Sequence, residues 1–120
     1  MDIGFAFESL DAYKFSRALV KDVYSLLRTF PKAEQYALCD QLRRAVVSVP
    51  SNIAEGMTRT SNKEKAHFIE ISYGSLMEVY CQMQLATDLG YISEQQLFER
   101  RRTIQHISRL LSGLRNKFEH

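Results

Sequence analysis

Apolar residues recur at helical spacing along most of the chain and divide it into four stretches. The first runs from Ser9 to Phe30, and Pro31 ends it because the residue before a proline is pushed out of the helical region. The rows of its apolar face are Tyr13, Val20 and Leu27, then Ser16, Val23 and Phe30, then Ala12, Leu19 and Leu26. This pattern predicts an amphipathic helix with one buried side.

The second stretch runs from Glu34 to Met57 and contains a proline. Pro50 lacks the N–H that would bond the carbonyl of Val46, but the apolar spacing continues on both sides of it, so we expect a kink and not a break. Gly56 is the predicted stop. The predicted buried side consists of Leu38, Leu42, Ala45, Val49 and Ile53.

The third and fourth stretches each begin with a capping-box sequence. Ser61 and Glu64 start a helix that ends at Gly90, and Ser93 and Gln96 start the last helix. The seam of the last helix is Leu97, Ile104, Leu111 and Phe118, with Ile107 and Leu114 between them. Short connections between helices of similar length predict an all-α fold, an antiparallel up-down four-helix bundle.

The third helix carries more apolar surface than one such bundle covers. Besides the row Ile69, Leu76 and Met83, it has Phe68, Ile71, Tyr73, Met77, Tyr80 and Leu85 pointing in other directions. Gly74 in its interior costs about 1 kcal/mol relative to Ala, which close approach of another helix would explain. The second helix has a similar uncharged run from Ala45 to Ala54. Helices that are apolar on several sides need cover on several sides, so we expect an oligomerising bundle. The alternative is a monomer with an exposed apolar patch.

The length of 120 residues fits a single domain over residues 1–120, and the net charge of +2 is only mildly basic. Cys39 and Cys81 lie in helical patterns without CxxC spacing. This favours two small buried side chains in a reducing compartment over a disulfide between them. The N-terminus lacks a signal-peptide pattern, and no apolar run of about 18 residues spans a membrane. We expect a cytoplasmic protein with no membrane contact.

Polar residues form lines on the two apolar helices. They are Arg44, Ser48, Asn52 and Glu55 on the second helix and Glu78 on the third. Because buried charges need partners, we interpret them as a structural polar network. In this network Arg43 or Arg44 pairs with Glu78 or Glu55, and Asn52 satisfies the carbonyl freed by Pro50. The alternative is an active site that uses the carboxylates of Glu55 and Glu78.

Other candidate chemistry is sparse. Di-iron bundles carry Glu-x-x-His on two helices, and the sequence has this spacing only once, at Glu64 and His67, so the paired pattern is missing. There is also no glycine-rich phosphate loop. We therefore expect no metal, no cofactor and no enzymatic activity.

Basic residues offer a different function. The fourth helix has no acid between Glu99 and Glu119. Repeated by symmetry in an oligomer, its basic side would bind phosphate backbones through counterion release. The alternative is a solvated face that aids solubility. The predicted nucleic-acid-binding residues are Arg43, Arg59, Lys63, Arg101, Arg102 and Arg109.

Several motifs together resemble a known family. They are Phe30-Pro31, Gln41-Leu42-Arg43-Arg44-Ala45, Ser48-Val49-Pro50, Asn52-Ile53-Ala54-Glu55-Gly56, Gly74-Ser75-Leu76 with Glu78, and Leu89-Gly90-Tyr91-Ile92. On these motifs the chain resembles the four-helix bundle proteins encoded by intervening sequences of bacterial 23S ribosomal RNA genes, which are often labelled as ribosomal proteins. It is also similar to the accessory variability proteins of diversity-generating retroelements.

The resemblance implies a ring-like homopentamer without established enzymatic activity. For the retroelement proteins it also implies nucleic-acid binding through basic surfaces and a reverse transcriptase as partner. We therefore expect a non-enzymatic oligomer, a pentamer by this resemblance, that binds RNA or DNA. The alternative is a protein-interaction scaffold, or an accessory subunit such as that of a reverse transcriptase, that binds no nucleic acid of its own.

Overall fold

The computed structural model describes residues 4–119, which form four α-helices joined by short connections and contain no strand. The helices are α1 Asp11–Leu27, α2 Leu38–Met57, α3 Asn62–Asp88 and α4 Glu94–Phe118. Two short 3₁₀ turns, Ala6–Ser9 and Lys32–Glu34, precede α1 and α2. The prediction of an all-helical fold with four helices is confirmed.

Each helix packs against the next one in the chain, and α4 also packs against α1, though less extensively. Among the described residues, no Cα of α1 lies within 8 Å of one of α3, nor any of α2 within 8 Å of one of α4, so these pairs are diagonal neighbours. The core therefore lies between all four helices and is filled by the predicted apolar rows. Its fully buried side chains include Leu19, Val23, Leu27, Leu42, Val46, Val49, Ile53, Ile69, Leu76, Met83, Ile107 and Leu111.

The connection between α1 and α2 is longer than predicted. The first helix ends at Leu27 instead of Phe30, and α2 begins at Leu38 instead of Glu34. Gln35 explains the difference, because its side-chain amide donates to the carbonyl of Leu27 at 3.0 Å. The same carbonyl also accepts from the backbone N–H of Phe30 at 3.2 Å, so the Gln35 amide adds a second bond at the helix end and holds the connection in a non-helical path.

The predicted capping box is complete at the start of α4, whereas at the start of α3 only the serine half of it forms. The Ser61 hydroxyl accepts a hydrogen bond from the backbone N–H of Glu64 at 3.1 Å, and Ser93 and Gln96 form a complete capping box. Gly90 has a φ of 80°, a conformation that favours glycine, and its N–H donates to the carbonyl of Thr87. With the bond from Tyr91 N–H to the carbonyl of Ala86, this is a Schellman motif.

Pro50 and Gly56, the two residues of α2 that were expected to disturb or end the helix, both lie inside it. The helix continues through Pro50, so the prediction that it does not break is confirmed. Gly56 lies inside the helix and does not terminate it, which corrects the prediction. Gly56 is buried, and a Cβ placed there would lie 2.7 Å from the Cβ of Phe68. Its role is to let α2 and α3 approach each other.

The outer side of α3 is uncovered and exposes large apolar side chains between charged ones such as Glu70 and Glu78. Ile71, Met77 and Leu85 are 38%, 36% and 47% exposed. Gly74 is exposed on the same helix, and a Cβ placed there would meet no neighbouring atom within 4 Å. No other helix of this protomer approaches Gly74, so that prediction is wrong within one chain. Cys81 is also exposed, whereas Cys39 is buried, and both are free thiols. The predicted burial is therefore right for Cys39 and wrong for Cys81.

Candidate nucleic-acid interface

Part of the predicted polar network is present between α2 and α3. The hydroxyls of Ser48 and Ser75 lie 2.7 Å apart, which joins the two helices. The Asn52 amide donates to the Ser48 carbonyl and hydroxyl, each at 2.8 Å. Asn52 therefore bonds the carbonyl of Ser48 and not that of Val46, which corrects the prediction. The result is a small neutral network that ties the middle of α2 to α3.

The charged residues of the predicted network pair with residues four positions away in the chain. Arg44 is 83% exposed and lies 3.7 Å from Asp40, and Glu55 lies 2.8 Å from Arg59. Glu78 is exposed and accepts a hydrogen bond from Gln82 at 3.4 Å. The predicted arginine–glutamate pairs across the two helices do not form. The prediction assumed that these charges are buried. They are exposed instead, and an exposed ion needs no partner because it keeps its hydration.

Two of the six predicted nucleic-acid-binding residues are held by intramolecular contacts. Arg43 donates to the carbonyl and the side-chain oxygen of Gln35, at 3.0 and 2.5 Å. Arg59 pairs with Glu55, and its guanidinium lies 4.7 Å from the ring centroid of Phe68. Its carbonyl also accepts from the Lys65 ammonium. A phosphate would have to displace these contacts, so the main role of both arginines is structural.

The other four predicted residues present their charge to solvent. Lys63, Arg101, Arg102 and Arg109 are exposed. Three of them lie on α4, in the part of the chain that has no acid between Glu99 and Glu119. Lys63 lies apart from them, beside His67, Glu70 and Glu119 in a shallow depression. The α4 arginines therefore form the main candidate contact surface for phosphate.

An open groove of about 760 Å³ runs between α1 and α4, and sequence reasoning missed it. We call it the α1–α4 groove; its lining includes Phe15, Phe98, Arg102, His106 and Arg109. The rings of Phe15 and His106 meet at 90° with centroids 4.7 Å apart. The only sequence signal for the groove was the spacing of Phe98, Arg102 and Arg109, which places them on one side of α4.

A two-point ion pair joins α1 and α4 on the side of the fold that carries the groove. Arg100 Nε and Nη2 lie 3.0 Å from the two carboxylate oxygens of Asp22, and the Arg100 side chain is only 14% exposed. Arg100 Nη1 also donates to the carbonyl of Gln96. Asp22 and Arg100 are 78 residues apart in the chain, so no local pattern could have paired them. The pair joins α1 to α4 next to the groove.

Two groups have shifted pKa values, and neither lies in the groove. The Tyr91 hydroxyl donates to the Glu34 carboxylate at 2.6 Å, and this hydrogen bond raises the pKa of Tyr91. Burial raises the pKa of the Cys39 thiol, with nearby Arg43 acting in the opposite direction. Both shifts favour the neutral form, so these groups support structure and do not provide a nucleophile.

Residues 4–119 offer neither a metal site nor a membrane span. No group of three or more His, Cys, Asp or Glu side chains in that range is placed to hold a metal ion. No helix within these residues is long and apolar enough to cross a membrane. The arrangement offers cationic, aromatic and apolar surfaces for binding.

This arrangement of helices is shared with a protein of known structure. A crystal structure of a protein of unknown function from the S23 ribosomal protein family of Bacteroides thetaiotaomicron superposes with a TM-score of 0.76. The two chains are 18% identical, and the match covers 87% of this chain and 97% of the other, so it supports the fold alone. A search of curated proteins finds no match. The sequence profile of the family described as 23S rRNA-intervening sequence protein matches residues 8–113. The chain therefore belongs to the family of 23S rRNA-intervening sequence proteins.

Proposed function

We propose that this protein is a non-enzymatic, self-associating four-helix bundle that binds the backbone of RNA or DNA through α4. The observation that carries the proposal is the exposure of Arg101, Arg102 and Arg109 on a helix segment without acids. Guanidinium groups in such a position bind phosphates by displacing condensed counterions, which requires no base reading. The bundle supplies a rigid support, since the opposite side of α4 is buried at Ile104, Ile107 and Leu111.

The helices of the proposed bundle run antiparallel in up-down order. Support comes from contacts in which residue numbers rise on one helix as they fall on its neighbour. On α2 and α3, Ser48 meets Ser75 while Gly56 approaches Phe68. On α1 and α4, Phe15 meets His106 while Asp22 meets Arg100.

Self-association is proposed from the outer side of α3. Ile71, Met77 and Leu85 leave apolar surface in water there, and Gly74 adds a position where another backbone fits closely. We propose a pentamer as the stoichiometry, as the resemblance described in the sequence analysis implies. Symmetry would then repeat the α4 arginines around the assembly and strengthen phosphate binding. The free thiols of Cys39 and Cys81 suit a reducing compartment, and we place the protein in the cytoplasm.

Nucleic-acid binding is tested by an electrophoretic mobility-shift titration at two salt concentrations. We expect binding that weakens as salt rises, because counterions are released. Changing Arg101, Arg102 and Arg109 to Glu should abolish most of the binding. The slope of the logarithm of the binding constant against the logarithm of salt concentration should fall in magnitude by about 2 to 3. The control changes the same three residues to Lys, which keeps the charge and should keep binding. Wild-type protein that shows no shift at low salt refutes the proposal.

Self-association is tested by light scattering coupled to size-exclusion chromatography. The double variant Ile71→Glu with Leu85→Glu should dissociate the assembly, because it places charge in the proposed contact. Tyr36→Glu is the matched control, since Tyr36 is 92% exposed and lies outside α3. A wild-type protein that elutes as a monomer at micromolar concentration contradicts the assembly.

A second candidate function rests on the same outer side of α3. If copies of the chain do not cover it, a different protein does, and the chain acts as a scaffold or as an accessory subunit, for example of a reverse transcriptase. This candidate is favoured by a monomer that binds no nucleic acid. In that case the α4 arginines only aid solubility, and their replacement by Glu should leave partner binding unchanged.

A further inference from the structure

We infer that the α1–α4 groove binds unpaired bases, so that the preferred ligand is single-stranded nucleic acid and not a duplex. This inference rests on the proposed function and specifies its ligand. It starts from the coincidence of aromatic and cationic side chains in one open cleft of about 760 Å³. Base stacking on rings and phosphate contact with cations are the two interactions by which proteins hold single strands.

The aromatic side chains of the groove are accessible. Phe98 is 53% exposed and Phe15 is 42% exposed, on facing helices. Large aromatic rings are costly to leave in water, and neither ring contributes to the buried core. His106 supports Phe15 from within the groove by its perpendicular contact. The two rings, one from α1 and one from α4, both line the groove and offer π-faces to which any base can stack.

The cationic side chains lie within reach of the rings. Arg102 follows Phe98 by one helical turn, and Arg109 follows by two further turns, so all three share one side of α4. Seven residues separate the two arginines, which is about 10 Å along a helix. At about 3.4 Å per nucleotide, this length matches roughly three stacked nucleotides of one strand. One short single strand can therefore contact both arginines and the Phe98 ring.

The composition of the groove argues against the other classes of ligand. A duplex already stacks its bases on one another, so it gains nothing from Phe15 and Phe98 and contacts only the arginines. Glu99 also lines the groove and repels any anion at that end, so Arg102 and Arg109 are the residues that can contact phosphates or carboxylates, and their charge alone does not distinguish a nucleic acid from an acidic peptide. Stacking thus distinguishes the single strand from both alternatives.

The test measures fluorescence anisotropy with a fluorescein-labelled oligodeoxythymidylate of about 15 nucleotides, a length within the usual site sizes. The same strand annealed to its complement is the duplex probe, and polyglutamate is the competitor. The variants are Phe98→Ser and Phe15→Ser, with Phe98→Leu as a version that keeps packing volume and removes only the ring. Tyr36→Ser is the control, because Tyr36 is an exposed aromatic outside the groove. Circular dichroism confirms that each variant is folded.

We expect the wild type to bind the single strand more tightly than the duplex. Each phenylalanine variant, including Phe98→Leu, should weaken single-strand binding about tenfold and leave duplex binding unchanged. Tyr36→Ser should change neither. If the phenylalanine variants bind like wild type while Arg102→Glu does not, the stacking inference is wrong and the proposed function stands. If wild type binds neither probe, both are wrong. Displacement of the strand by equimolar polyglutamate also overturns the inference, since charge alone would then suffice.

Discussion

Arg100 on α4 and Asp22 on α1 form a two-point ion pair, with Nε and Nη2 each 3.0 Å from a carboxylate oxygen. Helices α1 and α4 pack less extensively than the other neighbouring pairs, and this ion pair is one of the side-chain contacts that join them. The Arg100 side chain is largely shielded from water, whereas Asp22 is 45% exposed. Shielding and two-point geometry make the pair stronger than an ordinary surface pair.

Replacing Arg100 with Ala should therefore lower the free energy of unfolding by about 1 to 2 kcal/mol. Hydrogen bonds to charged groups contribute about 1.5 to 3 kcal/mol, and the exposure of Asp22 reduces this contribution. Urea denaturation measures the change. Arg101→Ala is the matched control on the same helix, and because Arg101 is exposed we expect it to stay within about 0.5 kcal/mol of wild type. Equal stability of the two variants would show that the ion pair contributes nothing.

Gly56→Ala should destabilise the protein, because the added Cβ would lie 2.7 Å from the Cβ of Phe68. Both atoms are attached directly to the backbone, so α2 and α3 have to separate. Overpacking costs about 1 to 3 kcal/mol, and the better helix propensity of Ala offsets up to about 1 kcal/mol. We expect a net loss of about 1 to 2 kcal/mol by thermal denaturation.

The control for that experiment is Gly113→Ala on α4. No neighbouring atom lies within 4 Å of a Cβ placed at Gly113, so only the propensity gain remains. We expect this variant to be more stable than wild type by about 0.5 to 1 kcal/mol. Two glycine variants that shift stability in the same direction would contradict the close approach of α2 and α3.

Cys39 should be unreactive in the folded protein. Its side chain is fully buried, and burial raises its pKa and disfavours the nucleophilic thiolate. In a Cys81→Ser variant, Ellman's reagent should react only after denaturant is added. The Cys39→Ser variant, measured in parallel, retains only Cys81, which α3 exposes. Rapid labelling of folded Cys81→Ser protein would show that Cys39 is accessible.

The Tyr91–Glu34 hydrogen bond should make stability depend on pH in the alkaline range. The pKa of Tyr91 is raised above its ordinary value of 10.0 because its hydroxyl donates to the Glu34 carboxylate. A raised pKa means that folding favours the protonated hydroxyl. Its stabilisation is complete below the unfolded-state pKa and is lost as the pH rises through the folded-state pKa.

Tyr91→Phe removes this hydrogen bond and so tests the dependence. Its melting temperature should be lower than that of wild type between pH 7 and about 9, and the difference should shrink as the pH passes the ordinary tyrosine pKa of about 10. Tyr36→Phe is the control, since Tyr36 is 92% exposed. If the difference in melting temperature between Tyr91→Phe and wild type stays constant up to the highest pH, the stability does not depend on titration of Tyr91.

The sequence was a good guide to the helices because their signals are local. Capping by Ser61 and Ser93 and the left-handed conformation of Gly90 each depend on residues within a few positions. The start of α2 was misplaced because its position depends on a side chain, Gln35, that bonds back to Leu27 across the connection. Periodicity records which residues are apolar and contains no information about such bonds.

The candidate site was harder to predict than the fold for the same reason. The absence of acids on that segment of α4 predicted its basic surface. Arg59 was also predicted to bind nucleic acid, although its side chain contacts Glu55 and Phe68. The α1–α4 groove was not predicted because it combines Phe15 with residues of α4 that lie 80 or more positions away. Contacts at that separation are set by the packing of helices and not by any spacing along the chain.

One buried hydroxyl has a consequence for how α2 and α3 fit together. Ser72 is fully buried, and its Oγ donates to the carbonyl of Val49 at 2.8 Å. If α3 slid along α2 by one turn, this donor would face hydrocarbon with no acceptor, which costs about 1 to 3 kcal/mol. Leucine and valine side chains tolerate such a shift of register far better, because apolar contacts are not directional as hydrogen bonds are. A single serine thus selects one register from the several that the apolar surfaces alone would accept.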